Sequence, residues 1–225
     1  MQHIGFIMDG NRRWAKKNGS LPLLWHERGW DTIEPVLALC KARSLRYVSM
    51  WALSKENILE RPPLEIEWLY ILLRRKLPWL VEKLIWESIR FETVGNIAML
   101  PEDIQESFLT AKKRTQPGTS MTFILAIGYS GQDEIIEGIR SCMRAGIDPG
   151  SLDEKEFLRH IDTGKFPPPD LIIRTGWRIR HSGYFLYQSA YSEYYFTDTL
   201  WPDFGEQDLE RAIASYENTI RNFGK

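Results

Sequence analysis

The sequence predicts an α/β domain with a central, mostly parallel sheet flanked by helices. Short apolar runs alternate with helical segments along the whole chain, and most of the runs end in a polar or glycine-containing turn. Such alternation is typical of parallel sheets that are covered on both faces. The chain has 225 residues, 43% of them hydrophobic, which predicts a single domain over residues 1–225 with a substantial core.

The predicted strands are short apolar runs bounded by polar, glycine or proline residues. In chain order they are the run ending at Ile7, then Arg46–Leu53, Phe91–Asn96, Met121–Gly128, Leu171–Ile173 and Glu193–Thr197. The carboxyl ends of parallel strands share one edge of a sheet. The polar turns at Asp9, Ser54, Gly128 and Arg174 are therefore expected to gather along that edge.

The intervening segments carry apolar residues at helical spacing. Besides a helix starting after Gly10 and a short one opening at Ser151, helices are predicted over Gly29–Ala42, Leu64–Ile89, Pro101–Arg114, Asp133–Ala145 and Glu206–Phe223. Pro78 is expected to kink or divide the second of these five. Because that segment is apolar on so many sides, it is expected to be buried, to line an apolar cavity, or to meet a membrane or a partner.

Composition limits the partners and the compartment. The 29 basic and 30 acidic residues give a net charge of -1. The overall charge therefore does not favour binding to nucleic acid, and any basic site is local. Cys40 and Cys142 lack metal-ligand spacing, which favours buried thiols in a reducing compartment over a disulfide. Met1 leads directly into the first strand, and no uncharged apolar run approaches the ~20 residues of a membrane span, so we predict a cytoplasmic protein.

Two arginine-bearing loops follow predicted strands. The first contains Asp9, Gly10, Asn11, Arg12 and Arg13, and the second runs over residues 174–182. Each loop can hold an anion through charge-assisted hydrogen bonds, and a lone carboxylate beside an anion site suggests a metal ion. The residues alone thus predict a magnesium-assisted enzyme acting on two phosphorylated substrates.

Simpler interpretations of the same residues stay open at this stage. The arginines could be solvated loop charges, Asp9 could only cap the following helix, and Glu193 could be an ordinary surface acid. Several familiar sites are absent from the sequence: there is no phosphate-binding Gly-x-x-x-x-Gly-Lys-Ser/Thr loop, no Gly-x-Ser-x-Gly elbow, no zinc spacing among the four histidines and no Asp-Asp-x-x-Asp cluster.

Several motifs in the same order resemble those of the cis-prenyltransferases, the undecaprenyl diphosphate synthase-like enzymes. The resemblance covers almost the whole chain and is specific because the motifs occur together. They are residues 8–15 (MDGNRRWA), residues 52–57 (ALSKEN) with Arg61-Pro62, the group Arg174-Thr175, Arg180, Ser182 and Gln188, residues 190–193 (AYSE) and residues 201–204 (WPDF).

The resemblance implies an α/β fold, usually a homodimer, with a tunnel for the growing chain. It implies condensation of isopentenyl diphosphate with an allylic diphosphate to give a cis-prenyl diphosphate, with Mg2+ as cofactor. Asp9 and Asn57 would be catalytic, Asp9 and Glu193 would hold the metal, and Asn57 with Ser54 would assist proton removal. The substrate-binding residues would be Gly10, Asn11, Arg12, Arg13, Trp14, His26, Ser54, Lys55, Glu56, Arg61, Arg174, Arg180, His181 and Ser182.

The chain also departs from the family pattern at identifiable positions. The usual allylic-site arginine is Pro22, and the acid that usually follows Arg-Thr-Gly/Ser-Gly is the cation Arg178, preceded by Trp177. Further differences are Trp25, Ile58, residues 128–132 (GYSGQ) and Asn222. The alternatives are therefore a head-to-middle or branching prenyl coupling, another diphosphate-ionising reaction, or a catalytically silent partner subunit.

Bulky tryptophans on the allylic side, Trp25, Trp30 and Trp51, predict a short tunnel and a short- to medium-chain product. The apolar helix around Trp68–Trp86 is then better explained as tunnel wall than as a peripheral membrane contact, which stays an alternative.

Overall fold

The sheet has six strands, and all of them are parallel. The structure, a computed structural model, describes residues 1–19 and 22–219, without the side chains of residues 22–25. The strand order is β3-β4-β2-β1-β5-β6. The strands are β1 (His3–Ile7), β2 (Tyr47–Ser54), β3 (Ile89–Val94), β4 (Met121–Tyr129), β5 (Leu171–Arg174) and β6 (Glu193–Phe196).

Helices connect the first five strands, as the alternating pattern predicts, and only a short 3-10 helix, Gln188–Tyr191, lies between β5 and β6. The α-helices are α1 (Asn11–Lys17), α2 (Pro22–Asp31), α3 (Ile33–Ala42), α4 (Lys55–Glu60), α5 (Pro63–Trp86), α6 (Glu102–Thr115), α7 (Gly131–Arg144), α8 (Glu154–Leu158) and α9 (Glu206–Glu217). The predicted fold class is therefore confirmed. None of the described helices is long and apolar enough to cross a membrane.

Hydrophobic residues fill both faces of the sheet. On one face, Ile4, Phe6 and Ile173 belong to a large core to which α3, α5, α6 and α9 also contribute. On the other face, Ile172 packs in a smaller core with Tyr184 from the segment after β5. Because the two faces of each central strand are both buried, these strands are nearly continuous apolar runs, which is why the sequence identifies them clearly.

Some predicted boundaries are wrong. Pro78 does not divide α5, because buried neighbours such as Leu77 and Val81 anchor the helix on both sides of the missing N–H. The helix predicted over Gly29–Ala42 is split at Thr32, and Pro35 falls in the first turn of α3, where its missing N–H costs little. The last described helix runs over Glu206–Glu217, and its predicted end at Phe223 lies outside the described residues.

Cys40 and Cys142 are free and buried, as predicted. Cys40 packs in the large core and Cys142 in a small cluster with Phe157 and Ile161. Burial raises the pKa of the Cys40 thiol far above its ordinary value. Cys40 therefore acts as a small hydrophobic core residue.

His3 is a buried structural histidine in β1 and should make the fold sensitive to acid. Its Nδ1 donates to the Pro167 carbonyl at 2.7 Å, which leaves Nε2 to accept from the Ser49 hydroxyl at 2.9 Å. Burial lowers the pKa of His3 from 6.5 to about 4. The unfolded chain therefore binds the proton more readily, and stability present above pH 6.5 is lost as the pH falls towards 4, by up to about 3 kcal/mol.

We expect Tm to fall across this window and to fall less steeply in His3→Gln. Ser49→Ala keeps the histidine buried, so it should keep the parent's slope. Thermal unfolding between pH 7.5 and 4.5 measures both. An unchanged slope in His3→Gln would show that other groups cause the acid sensitivity.

Candidate active site

Asp9 lies where the two arginine loops meet. Its carboxylate accepts a hydrogen bond from Arg13 NH2 at Oδ1 (2.9 Å) and one from Arg174 NH2 at Oδ2 (3.0 Å). Its main-chain oxygen accepts from the Thr175 hydroxyl at 2.6 Å and from the Trp201 N–H at 3.1 Å. Since 29% of the Asp9 side chain is still exposed, the carboxylate is fixed in place and accessible from solvent.

Arg174, the last residue of β5, connects the second loop to Asp9. Its side chain is only 6% exposed, and its NH1 donates to the Arg180 carbonyl at 2.7 Å and to Ser182 Oγ at 2.8 Å. Burial lowers the pKa of Arg174, and the hydrogen bond to Asp9 opposes that shift. One guanidinium thus sets the conformation of residues 180–182 relative to the Asp9 carboxylate.

Asn57 is held by side chains on both sides. Residues 54–57 were predicted as a polar turn, but they form the start of α4, with Ser54 as its N-cap. Ser54 Oγ accepts a hydrogen bond from the Asn57 N–H at 3.1 Å. Asn57 Nδ2 also donates to Ser54 Oγ at 2.6 Å, and Arg61 Nε donates to Asn57 Oδ1 at 2.6 Å. The amide is therefore oriented by a hydroxyl and a guanidinium, in the association that the sequence motif predicted for Ser54 and Asn57.

Glu65, a carboxylate that the sequence analysis did not single out, lies among the cations of this edge. It accepts from Arg12 NH2 at 2.7 and 2.8 Å and from Arg61 NH1 at 3.1 Å, and His26 Nε2 is 3.5 Å from its Oε1. Partial burial favours the protonated acid, but the two arginines outweigh it and lower the pKa of Glu65. The four-residue spacing between Arg61 and Glu65 is the sequence feature from which this ion pair could have been predicted.

His26 is neutral at pH 7. Burial is the main cause of its depressed pKa of about 4, and the positive charge of Arg61 adds to the effect, while Glu65 opposes it. A neutral imidazole can donate one hydrogen bond and accept one. His26 is therefore a polar group of the site and not one of its cations.

Two polar cavities share Asp9. The Arg13 cavity, of about 450 Å³, is lined by Met8, Asp9, Gly10, Asn11, Arg12, Arg13, His26, Ala52, Arg61, Arg178 and Arg180. The Asn57 cavity, of about 460 Å³, is lined by Ile7, Met8, Asp9, Trp51, Ala52, Leu53, Ser54, Glu56, Asn57, Arg61, Arg174, Arg180 and Ser182. Each cavity carries several guanidinium groups, so the arrangement can hold two anions on either side of one carboxylate.

A third cavity, smaller and mostly apolar, adjoins the Arg13 cavity. It has a volume of about 70 Å³ and is lined by Met8, Asn11, His26, Gly29, Trp30, Ile33, Ala52, Leu53, Leu69, Leu72, Leu73, Ile127 and Trp201. The inner face of α5 therefore lines an apolar space through leucines. The tryptophans of α5, in contrast, lie on its outer side, where Trp68, Trp79 and Trp86 are 42%, 50% and 85% exposed.

Some predicted site residues lie outside these cavities. Lys55 pairs with Asp133 at 2.5 Å and lines a separate cavity with it. The Trp14 indole donates to Asp203 at 2.6 Å, and His181 Nδ1 accepts from the Gly183 N–H at 3.0 Å. Each of these three side chains thus has a partner within the protein. Their roles in substrate binding stay predictions.

Glu193 is separated from Asp9 within one chain. It lies opposite Leu171 at the start of β5, whereas Arg174 at the end of β5 lies opposite Ile7. Three residues of strand, about 10 Å, separate the two levels. Within residues 1–19 and 22–219, no group of three or more His, Cys, Asp or Glu side chains could hold a metal ion. A metal shared by Asp9 and Glu193 therefore stays a prediction that requires a second chain.

Asp9 by itself fits a Mg2+ site of the kind that substrate completes. Mg2+ in phosphate-handling enzymes is commonly bound by one or two carboxylates, with substrate phosphates and water as the other ligands. Both Asp9 oxygens accept from guanidinium groups, so a metal ion has to share an oxygen or displace an arginine. Arg13 is 34% exposed and has more room to move than Arg174.

Trp51 contributes a polar atom that the sequence analysis did not consider. It was predicted as bulk on the allylic side, but it lines the Asn57 cavity and stacks on Tyr184 at 5.2 Å. Its indole N–H is buried without a hydrogen-bond partner among the described residues. Buried donors usually have a partner, so this unpaired N–H is unusual.

Gly29 fixes the position of Asn11, and Gly29→Ala should impair the Arg13 cavity. A Cβ at residue 29 would lie 2.2 Å from Asn11 Oδ1, so the amide would have to move. The obstacle is the end of a side chain, which predicts a small change in Tm but an increase in KM for the substrate of this cavity, by about tenfold. Steady-state kinetics and thermal unfolding check this, with Gly205→Ala, which has open space around it, as control.

Three of the departures from the family pattern, Pro22, Trp25 and Asn222, fall wholly or partly outside the described residues. The backbone of α2 includes Pro22 and Trp25, but their side chains lie outside the described residues, as does Asn222.

The fold is shared with a solved prenyl diphosphate synthase. The lavandulyl diphosphate synthase of Lavandula x intermedia, solved in complex with dimethylallyl diphosphate, superimposes with a TM-score of 0.95 and 34% identity, covering 100% of this chain and 98% of that one. The protein is thus of the prenyltransferase class.

Sequence comparison defines the family. The prenyltransferase family model of undecaprenyl diphosphate synthases matches residues 7–224. An isoprenyl transferase of Treponema denticola is 36% identical over 224 residues, 100% of this chain and 97% of the relative. The tritrans,polycis-undecaprenyl-diphosphate synthase (geranylgeranyl-diphosphate specific) of Thermoplasma volcanium is 37% identical, over 100% of this chain and 89% of the relative. The chain belongs to the undecaprenyl diphosphate synthase family, and it is an enzyme of prenyl transfer, as its motifs predicted.

Proposed function

We propose that this enzyme condenses isopentenyl diphosphate with a short allylic diphosphate to give a cis-prenyl diphosphate, with Mg2+ as cofactor. The observation that carries the proposal is Asp9, held between Arg13 and Arg174 at the boundary of two arginine-lined cavities. Two diphosphates bound on either side of one carboxylate bring the carbons of both substrates together at the polar edge of the sheet.

The Arg13 cavity binds the allylic substrate. Its diphosphate is held by Arg12, Arg13 and Arg61 with the Asn11 amide, and its hydrocarbon tail enters the adjoining apolar cavity. Guanidinium groups stabilise the charge that develops as the allylic C–O bond breaks and diphosphate leaves. Mg2+, held by Asp9, would neutralise further charge on that leaving group.

The Asn57 cavity binds isopentenyl diphosphate. Arg174, Arg180 and Ser182 hold its diphosphate, and the terminal carbon of its double bond forms the new C–C bond with the allylic carbon. A proton then leaves the carbon next to the C–O carbon of isopentenyl diphosphate, which restores a double bond. Asn57 and Ser54, fixed by mutual hydrogen bonds, orient that departure. The products are a prenyl diphosphate, pyrophosphate and a proton.

The apolar cavity supports a short product. Its volume of about 70 Å³ is less than half that of a 150 Å³ cavity that binds a six-carbon ring. A space of this size favours a short allylic group over a long one. The likeness to an enzyme crystallised with dimethylallyl diphosphate favours the same substrate here.

Assembly and location belong to the same proposal. A homodimer is supported by the half-exposed edge strand β6 and by the exposed Ile136, Ile139 and Met143 on α7. The exposed tryptophans of α5 suit a peripheral membrane contact as a secondary role of that helix. Two buried free cysteines support a cytoplasmic location.

Product analysis tests the proposal. Purified protein is incubated with Mg2+, isopentenyl diphosphate and dimethylallyl, geranyl or farnesyl diphosphate, and products are identified by mass spectrometry and NMR. We expect a linear cis product, fastest turnover with dimethylallyl diphosphate, and loss of activity in EDTA that Mg2+ restores.

Other outcomes identify the alternatives. Branched or cyclic products, especially from dimethylallyl diphosphate alone, would replace the proposed reaction by head-to-middle coupling. No turnover together with no diphosphate binding would indicate a silent partner subunit. Asp9→Asn serves as the inactive reference in each reaction.

A further inference from the structure

Trp177 has a backbone conformation that a bulky residue rarely adopts. Its φ is +61°, in the left-handed region, and 55% of the side chain is exposed. Two backbone hydrogen bonds fix the turn: Trp177 N–H to the Thr197 carbonyl and Gly176 N–H to the Thr199 carbonyl, both 2.8 Å. A large residue in this region costs conformational energy, and an exposed indole recovers little of it by burial. The contacts of the ring therefore need a functional explanation.

Two arginines lie close to the indole ring. The guanidinium carbon of Arg13 is 5.6 Å from the ring centroid, and that of Arg178 is 4.9 Å from it. Both distances are within the range of cation–π attraction, and planar guanidinium groups stack well on aromatic faces. Trp177 thus contacts Arg13 of the first arginine loop and Arg178 of the second loop. Arg178 stands where the family pattern usually has an acid.

Arg13 is held on several sides by the same turn. Its NH1 donates to the Gly176 carbonyl at 2.6 Å, and its NH2 donates to Asp9 Oδ1 at 2.9 Å. A Cβ at residue 176 would lie 2.6 Å from Arg13 NH2, so the loop can approach the guanidinium this closely only with glycine there. Ring, carbonyl and carboxylate together restrict a long side chain that is 34% exposed.

We propose that Trp177 is a positioning residue that pre-organises Arg13 for diphosphate binding and brings Arg178 to the rim of the Arg13 cavity. An arginine already restricted in the free enzyme loses less side-chain entropy when it binds an anion. This inference rests on the proposed function, since it takes a diphosphate as the ligand of the Arg13 cavity.

Pyrophosphate binding to three variants tests the proposal. The probe is inorganic pyrophosphate, titrated calorimetrically at fixed Mg2+ concentration, and Tm is measured on the same samples. We expect Trp177→Gly to weaken binding about two- to fivefold, which corresponds to the loss of one exposed cation–π contact. Its Tm should stay the same or rise, because glycine adopts the left-handed conformation without strain.

The other two variants separate the ring from the rest of the loop. Trp177→Phe keeps an aromatic face and should bind within about twofold of the parent. Ile179→Ala changes a side chain that is 79% exposed in the same loop and should bind like the parent. In steady-state kinetics, Trp177→Gly should raise KM for the allylic diphosphate and leave KM for isopentenyl diphosphate unchanged.

Several results would overturn the inference. Parent-like binding by Trp177→Gly would show that the indole does not position Arg13, and equal weakness of Trp177→Phe would exclude the aromatic face as the cause. A Tm that falls together with the affinity would indicate a purely structural residue. If the parent itself bound no pyrophosphate, the proposed function would fail, which is a distinct result.

Discussion

Asp9→Ala should lower kcat by at least about 10²-fold, because metal and diphosphate electrostatics act on the charge that develops at the leaving group. Among the described residues that line the Arg13 cavity, Asp9 is the one carboxylate. It is also the acceptor shared by Arg13 and Arg174. Its removal takes away the proposed metal ligand and the group that spaces the two arginines.

Binding should change in the opposite direction to turnover. Without the carboxylate, the guanidinium groups of Arg13 and Arg174 have no negative partner at this point, so the cavities become more attractive to anions. We expect Asp9→Ala to bind pyrophosphate at least as tightly as the parent when Mg2+ is chelated. Calorimetry in EDTA and kcat at saturating substrate measure the two effects separately.

Two variants control for the change of shape and of charge. Asp9→Asn keeps the size of the side chain and should be nearly as inactive as Asp9→Ala, since an amide is a poor Mg2+ ligand. Asp31→Asn removes a carboxylate that pairs with Lys76 at 2.7 Å on the surface, and it should keep parent activity. Full activity in Asp9→Ala would refute the role assigned to Asp9.

The sheet was predictable because its signal is local. Each central strand is an apolar run such as residues 121–127, buried on both faces, and the run is visible without knowledge of its neighbours. The parallel arrangement then places Asp9, Ser54 and Arg174 at one edge by topology alone. The two arginine loops meet there as expected, with Arg13 and Arg174 on the same carboxylate.

Side-chain partners were harder to predict because they depend on packing between distant elements. Glu65 reaches Arg12 across 53 residues of sequence, and nothing near residue 65 indicates that contact. Glu193 starts β6, as the sequence predicted, and the register of β5 and β6 places it three residues along the strand from the level of Arg174. Its role as a metal ligand, which involves a second chain, stays a prediction. Which side chains meet across elements depends on strand register and helix packing, and local order in the sequence does not specify either.

Arg174→Ala should reduce kcat/KM for isopentenyl diphosphate by about 30-fold or more, the lower end of the 2–5 kcal/mol that removing one member of a buried, hydrogen-bonded charge pair costs. The side chain is 6% exposed and donates to Asp9, to the Arg180 carbonyl and to Ser182. Alanine leaves all three acceptors without this donor, so residues 180–182 lose their link to Asp9. Tm should also fall.

Graded variants distinguish binding from folding in this experiment. Arg174→Lys keeps the charge, but an ammonium group lacks the planar fork that reaches three acceptors, so its loss should be intermediate. Ser182→Ala removes one acceptor and should cost less than about tenfold. Arg140→Ala, an exposed residue paired with Glu137, should behave like the parent.

The kinetic constants then decide which substrate the Arg174 loop binds. Because Arg174 lines the Asn57 cavity and not the Arg13 cavity, KM for isopentenyl diphosphate should rise more than KM for the allylic diphosphate. If KM for the allylic diphosphate rose more, the allylic diphosphate would bind in the Asn57 cavity and isopentenyl diphosphate in the Arg13 cavity. An equal rise in both would indicate that Arg174 acts through Asp9, which contacts both arginine loops. Its contact with Ser182 would then serve mainly to hold the loop.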